Sequence, residues 1–116
     1  MWARKATVER YFDGFRRSDH QQILASLTDD VVWDLPGYRH LRGKEAFDGE
    51  IENEEFTGSP SLTVARLIEE ADTVVAIADG KASRKGGQVH RFAFADVFTF
   101  RGDLICRVDS YLVPLG

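Results

Sequence analysis

Apolar residues near the start of the chain recur at three- and four-residue steps. Val8, Tyr11, Phe12 and Phe15 form the stripe of an amphipathic helix, with Glu9, Arg10, Arg16 and Arg17 on its wet side. Ser18, with Gln21 three residues on, fits a capping box that opens a second short helix through Ile23, Leu24 and Leu27. The β-branched and aromatic run "DDVVWDLPG" predicts a strand of about five residues, stopped by Pro36 and Gly37. After a loop "YRHLRG", the segment from Lys44 to Phe56 predicts a third helix with Ala46, Phe47, Ile51 and Phe56 on one side. Glu50, Glu52, Glu54 and Glu55 fall on its solvated side, and no chemistry is assigned to them.

From Ser61 the period changes to two. "SLTVARLIEE", "TVVAIADGKAS", "QVHRFAFADVFTF" and "LICRVDSYLV" alternate, and the short links "AD", "RKGG" and "RGD" mark consecutive antiparallel hairpins. The "RGD" of Arg101 to Asp103 is read as one of these turns, with glycine where positive φ is tolerated, and not as an adhesion motif. Helices followed by a meander predict one α+β domain over residues 1–116, a curved, antiparallel-rich sheet with helices on one face.

Composition narrows the function classes. A net charge of -4 with 43% hydrophobic residues suits a globular domain and offers no basic stripe for nucleic acid. The single cysteine, Cys106, excludes an intramolecular disulfide and a thiolate cluster; within its apolar run it reads as an inert thiol. Three scattered histidines make no metal site, and no cofactor is expected. No apolar run approaches membrane-spanning length and "MWARKATVERYF" lacks a signal-peptide core, so a cytoplasmic protein without a membrane partner is expected.

The candidate chemistry comes from strand phase. In the strand from Val89 to Phe100, one face shows His90, Phe92, Phe94, Asp96, Phe98 and Phe100. That face is too apolar to lie open to water, so Asp96 belongs in an aromatic-walled interior where desolvation raises its pKa and lets it donate a hydrogen bond. The alternative is a carboxylate that caps a backbone group, or one flipped outward by a bulge to pair with Arg91 or Arg107. In the last strand Leu104, Cys106, Val108, Ser110 and Leu112 share the more apolar side, leaving Ile105, Arg107, Asp109, Tyr111 and Val113 for an outer face fit for a dimer contact. Val31, Trp33 and Leu35 likewise face in, and Val32 and Asp34 face out.

The order of a helix bearing a tyrosine, a second helix, "DDVVWDLPG", "RGKEAF" and strands ending "FADVFTF" and "ICRVDSYL" resembles the SnoaL-like proteins and the ketosteroid isomerases of the nuclear transport factor 2-like superfamily. The resemblance covers nearly the whole chain and implies the cystatin-like cone, a sheet wrapped around the N-terminal helices. It also implies a ligand cavity at the open end and homodimers through the outer sheet face. Tyr11 and Asp96 match the family's oxyanion-binding pair of a tyrosine and a protonated acid. The family's base positions fall on Leu35 and Ser110, neither of which is a carboxylate, so an enzyme would need another proton acceptor: His40, on a loop that the resemblance places near the cavity mouth, His90, or Asp34 if the strand is bulged.

The catalytic candidates are therefore Asp96 and Tyr11. The candidate ligand wall is Trp33, Leu35, Phe92, Phe94, Phe98, Val108 and Ser110, with His40 at its edge. The expected partner is a small hydrophobic molecule bearing a carbonyl or hydroxyl. Two readings stay open alongside a closed dimerisation scaffold: an isomerase, cyclase or lyase using Asp96 and Tyr11 as donors, or a binding protein without turnover.

Overall fold

A computed structural model of the chain describes residues 3–52 and 56–115, with positions 56–59 described by backbone alone. The N-terminal stripe forms helix α1, Ala3–Arg17, and buries Val8, Tyr11 and Phe12 almost completely. Ser18 ends it with a φ of 51°, and Asp19, in extended conformation, caps helix α2, His20–Leu24, by accepting from the Gln22 N–H at 3.1 Å. The cap is thus one residue later than Ser18, because Ser18 is consumed in the left-handed turn that reverses the chain. Leu27 belongs to the following strand and not to α2.

Gly14 sets how closely the two helices approach. A Cβ there would stand 2.7 Å from Ile23 Cγ1 and 3.3 Å from the Asp19 carbonyl. Alanine has the better helix propensity, but the overlap outweighs it. Gly14→Ala is expected to lower stability by about 1–3 kcal/mol, seen as a lower urea midpoint at unchanged slope.

Strand β1, Leu27–Leu35, is longer than its β-branched centre predicts. Pro36 and Gly37, the latter with φ 83°, then turn the chain back on itself. The "YRHLRG" segment is therefore no loop: its Arg39–Arg42 portion is an edge strand, β2, antiparallel to β1 with Asp34 opposite His40. Helix α3 spans only Lys44–Glu50 and is anchored by the buried Phe47. Phe56 begins strand β3 and so is not the end of α3, while Glu54 and Glu55 lie outside the described residues.

The meander forms as the alternation predicts. Strands β3 (Phe56–Glu70), β4 (Thr73–Arg84), β5 (Val89–Arg101) and β6 (Leu104–Leu115) pair antiparallel in sequence. At the "RGD" turn Gly102 has φ 63°, and the Arg101 guanidinium is held in a bidentate pair by Asp30. Strand β1 then adds in parallel to β6, giving the order β2-β1-β6-β5-β4-β3. The result is the expected α+β arrangement, a six-stranded sheet with the helices on one face.

The core between them contains Val8, Tyr11, Phe12, Phe47, Val74, Phe98, Ile105 and Val108. One strand departs from its predicted phase. A bulge inserts Cys106 between the pairs Phe100 with Ile105 and Thr99 with Arg107. Ile105 is consequently fully buried, whereas Leu104 is exposed and Cys106 half-buried. Beyond the bulge, Val108 and Ser110 face the core as expected, with the polar Arg107 and Asp109 outside.

Candidate functional site

Asp96 stands where a closed core meets the open end of the sheet. Along the inner face of β5, Phe100 and Phe98 are buried, Asp96 is 6% exposed, and Phe94, Phe92 and His90 are only half-buried. The neighbouring strands repeat the gradient. On β6, Val108 and Ser110 are buried and Leu112 half-buried; on β1, Val31 is buried, and Trp33 and Leu35 half-buried. Asp96 therefore faces inward, as its strand phase predicts, and among the described residues it makes no outward pair with Arg91 or Arg107.

A polar thread runs through this boundary. Ser110 lies directly across from Asp96 in the β5–β6 register, and its hydroxyl hydrogen-bonds the carboxyl. The Trp33 indole N–H donates to Ser110 Oγ at 2.9 Å. Burial pushes the Asp96 carboxyl up to about 7, and the Ser110 hydrogen bond opposes that rise. Near neutral pH both the acid and the carboxylate are accessible, so the group can donate, accept or exchange a proton.

Tyr11, 1% exposed, comes from α1 and lies close enough to Asp96 to feel its charge. Its ring meets Phe98 edge-on at 5.0 Å and Phe47 at 6.2 Å, a packing that fixes the phenol within the core. Burial raises its pKa well above the ordinary tyrosine value, and the nearby Asp96 charge adds to the effect. Tyr11 therefore remains a neutral donor wherever the protein is folded at moderate pH.

The proposed ligand wall divides by burial. Phe98 and Val108 are fully buried, with Phe98 against Tyr11 and Phe12. Phe92, Phe94, Trp33 and Leu35 keep partial exposure on the open side. Gly80 leaves room there, since a Cβ would come within 2.9 Å of both Phe92 and Leu62. Two surface grooves of about 790 and 470 Å³ lie along α1, and neither is lined by Asp96, Ser110, Tyr11 or Trp33.

His40 is not at this site. It lies in strand β2, opposite Asp34, with its side chain 57% exposed and Nδ1 3.5 Å from Asp34 Oδ1. Arg107 reaches the same Asp34 at 3.6 Å and pairs with Asp109 at 3.0 Å. The correction follows from register: residues opposite each other in a ladder share a face, and Asp34 is one residue out of phase with Trp33. Asp34, next to Leu35, and Asp109, next to Ser110, thus both face away from Asp96.

Sequence reasoning missed one arrangement, formed when the helices dock. His20 Nδ1 lies 2.5 Å from Asp48 Oδ1, and Nε2 contacts Glu52. The hydrogen bond to Asp48 and then that to Glu52 raise the imidazole pKa. Its two nitrogens are directed to different acids, so the three groups do not converge on one metal ion. Among the described residues no cluster suited to a metal is present, and no helix is long and apolar enough to cross a membrane.

The profile of the SnoaL-like domain matches residues 8–108. No functionally curated protein sequence matches the chain. Among solved structures, an NTF2-like protein of unknown function from Burkholderia pseudomallei superposes with a TM-score of 0.88 at 19% identity, covering 97% of this chain and 92% of that one. An epoxide hydrolase of the LEH-like type from M. tuberculosis gives 0.83 at 18%, covering 96% and 82%. TerC, co-crystallised with polyporic acid, gives 0.83 at 20%, covering 93% and 89%. At these identities the structural likenesses establish the fold.

Proposed function

The chain belongs to the SnoaL-like domain family, and from that premise we propose that it binds a small, largely apolar molecule through a carbonyl or hydroxyl oxygen, with Asp96 and Tyr11 as hydrogen-bond donors. The observation that carries this reading is a buried carboxyl held at about 7 on the border between the closed core and the half-exposed aromatic end of the sheet. A carboxyl kept near neutrality without a cationic partner is costly to maintain for structure alone. TerC, a protein of similar fold, was co-crystallised with polyporic acid, and another protein of similar fold is an LEH-like epoxide hydrolase; both illustrate what this fold can hold.

The ligand enters, in this reading, past Phe92, Phe94, Trp33 and Leu35 and places its oxygen near Asp96 and Tyr11. Two donors in a water-poor setting would stabilise an oxyanion by several kcal/mol, which suits isomerase, cyclase or lyase chemistry. Leu35 occupies one family base position and Asp34 points away; Asp96 itself, with a pKa near 7, fits the role of acid and base in turn, and His90, on the same face of β5, is the other group placed to take a proton. We place a homodimer contact on the outer sheet face, where Ile77, Tyr111 and Val113 are exposed.

Titration with 1-acetonaphthone, followed by tryptophan fluorescence, tests the reading. Affinity of the native chain is expected to be constant below pH 6 and to fall roughly tenfold per pH unit above about pH 7, as the donor proton leaves Asp96. Asp96→Asn should abolish that pH dependence while weakening binding only a few-fold, since its amide still donates; Tyr11→Phe should weaken binding about tenfold at every pH. Equal affinities for all three proteins across the pH range would overturn the proposal.

A further inference from the structure

We infer that Trp33 is a positioning residue for the buried acid: its indole N–H fixes the Ser110 hydroxyl as a donor to one Asp96 oxygen and leaves the other oxygen to carry the proton offered to a ligand. The last clause rests on the proposed function; the first stands on the Trp33–Ser110 hydrogen bond and on the register that sets Ser110 opposite Asp96.

An indole N–H can only donate, and it fills one lone pair of Ser110 Oγ at 2.9 Å. A serine hydroxyl has a single proton. Ser110 is 6% exposed, so that proton needs a protein partner, and Asp96, opposite in the strand register, supplies it. Were Asp96 to donate to Ser110 instead, Oγ would spend both lone pairs as an acceptor, and its own buried O–H would be left in need of another acceptor. Trp33 thereby selects one sense for the whole chain, from indole to hydroxyl to carboxyl.

The indole is itself held in place. Phe47 of α3 stacks on it with ring centroids 4.5 Å apart and planes 26° from parallel, and Phe15 of α1 meets it edge-on at 6.1 Å. The parallel pairing of β1 with β6 aligns Trp33 with Val108, two residues from Ser110. A half-buried tryptophan that reads in sequence as a wall residue is thus the origin of the hydrogen-bond direction at the acid.

The test follows Asp96 directly, without ligand, by carbon NMR of the labelled aspartate carboxyl across pH 4–9. Proteins compared are the native chain, Trp33→Phe, Ser110→Ala, the double variant, and a chain carrying benzothienylalanine at position 33, which keeps the indole's shape and lacks its N–H. Loss of the Ser110 donor is expected to raise the midpoint by about one pH unit. Loss of the indole N–H should raise it by roughly a third to a half of that, and the double variant should titrate like Ser110→Ala.

A midpoint unchanged in both position-33 variants, with Ser110→Ala still shifted, would overturn the inference and leave Trp33 a packing residue. Additive shifts in the double variant would also overturn it, because the indole would then act independently of Ser110. Since no ligand is present, a failure of 1-acetonaphthone binding overturns only the proposed function.

Discussion

Replacing Asp96 with asparagine is expected to stabilise the protein at pH 8 and leave its stability nearly unchanged at pH 4. The cause is linkage. Burial raises the carboxyl from the ordinary 3.8 to about 7, so between those values the folded chain retains a proton that the unfolded chain has released. Stability contributed by the neutral acid is complete below pH 4, declines as pH rises through the window, and is fully lost above 7. The difference corresponds to on the order of 4 kcal/mol.

Asparagine is close in shape, keeps an oxygen to accept from Ser110, and does not ionise. Its advantage over the native residue should therefore grow with pH and level off above 7. Urea denaturation at pH 4, 6 and 8 reads this as a widening gap in midpoint between the two proteins. His20, whose pKa is raised by Asp48 and Glu52, is common to both proteins, so its contribution cancels in the difference. Parallel stability curves for the native and Asp96→Asn proteins would show that the carboxyl is not desolvated, which would remove the basis of the site.

Phe47→Ala has the other large expected effect, a loss of about 3–5 kcal/mol. Phe47 is 1% exposed and is the buried anchor of the seven-residue helix α3. Its ring stacks on Trp33 and meets Tyr11 edge-on, so truncation opens a cavity between two residues of the site. A helix this short has no independent stability and depends on such packing. Hydrogen exchange should show the α3 amides losing protection before those of β4 and β5. In a Trp2→Phe background, Trp33 fluorescence should move toward the emission of an exposed indole. Protection in α3 equal to the native level would contradict the anchoring role of Phe47.

The parts of the site that were legible share one property. Asp96 lies in a strand whose alternation runs unbroken from Val89 to Arg101, so a count of two along the sequence placed it correctly inside. Tyr11 was equally accessible because α1 is a regular helix and the 3.6-residue period holds throughout it. Where regularity fails, local reading fails with it. The Cys106 bulge exchanges the faces of Leu104 and Ile105, and nothing in "LICRV" marks it before the partner strand is known.

Other features depend on contacts between distant segments. "YRHLRG" has too few β-branched residues to announce a strand, yet β1 offers it an edge to pair with, and that pairing carries His40 to the outer face beside Asp34. The link from Trp33 to Ser110 spans 77 positions and exists only because β1 lies parallel to β6. The contact of His20 with Asp48 and Glu52 forms only when α2 and α3 pack together.

The sequence by itself determined the α+β class, the order of helices before meander, and the inward direction of Asp96 and Tyr11, since periodicity within one element fixes which side chains share a face. Only the tertiary structure decided what the acid meets there. Burial, the Ser110 hydroxyl and the Trp33 indole come from separate strands, and their effect on a proton depends on distances that no single element encodes.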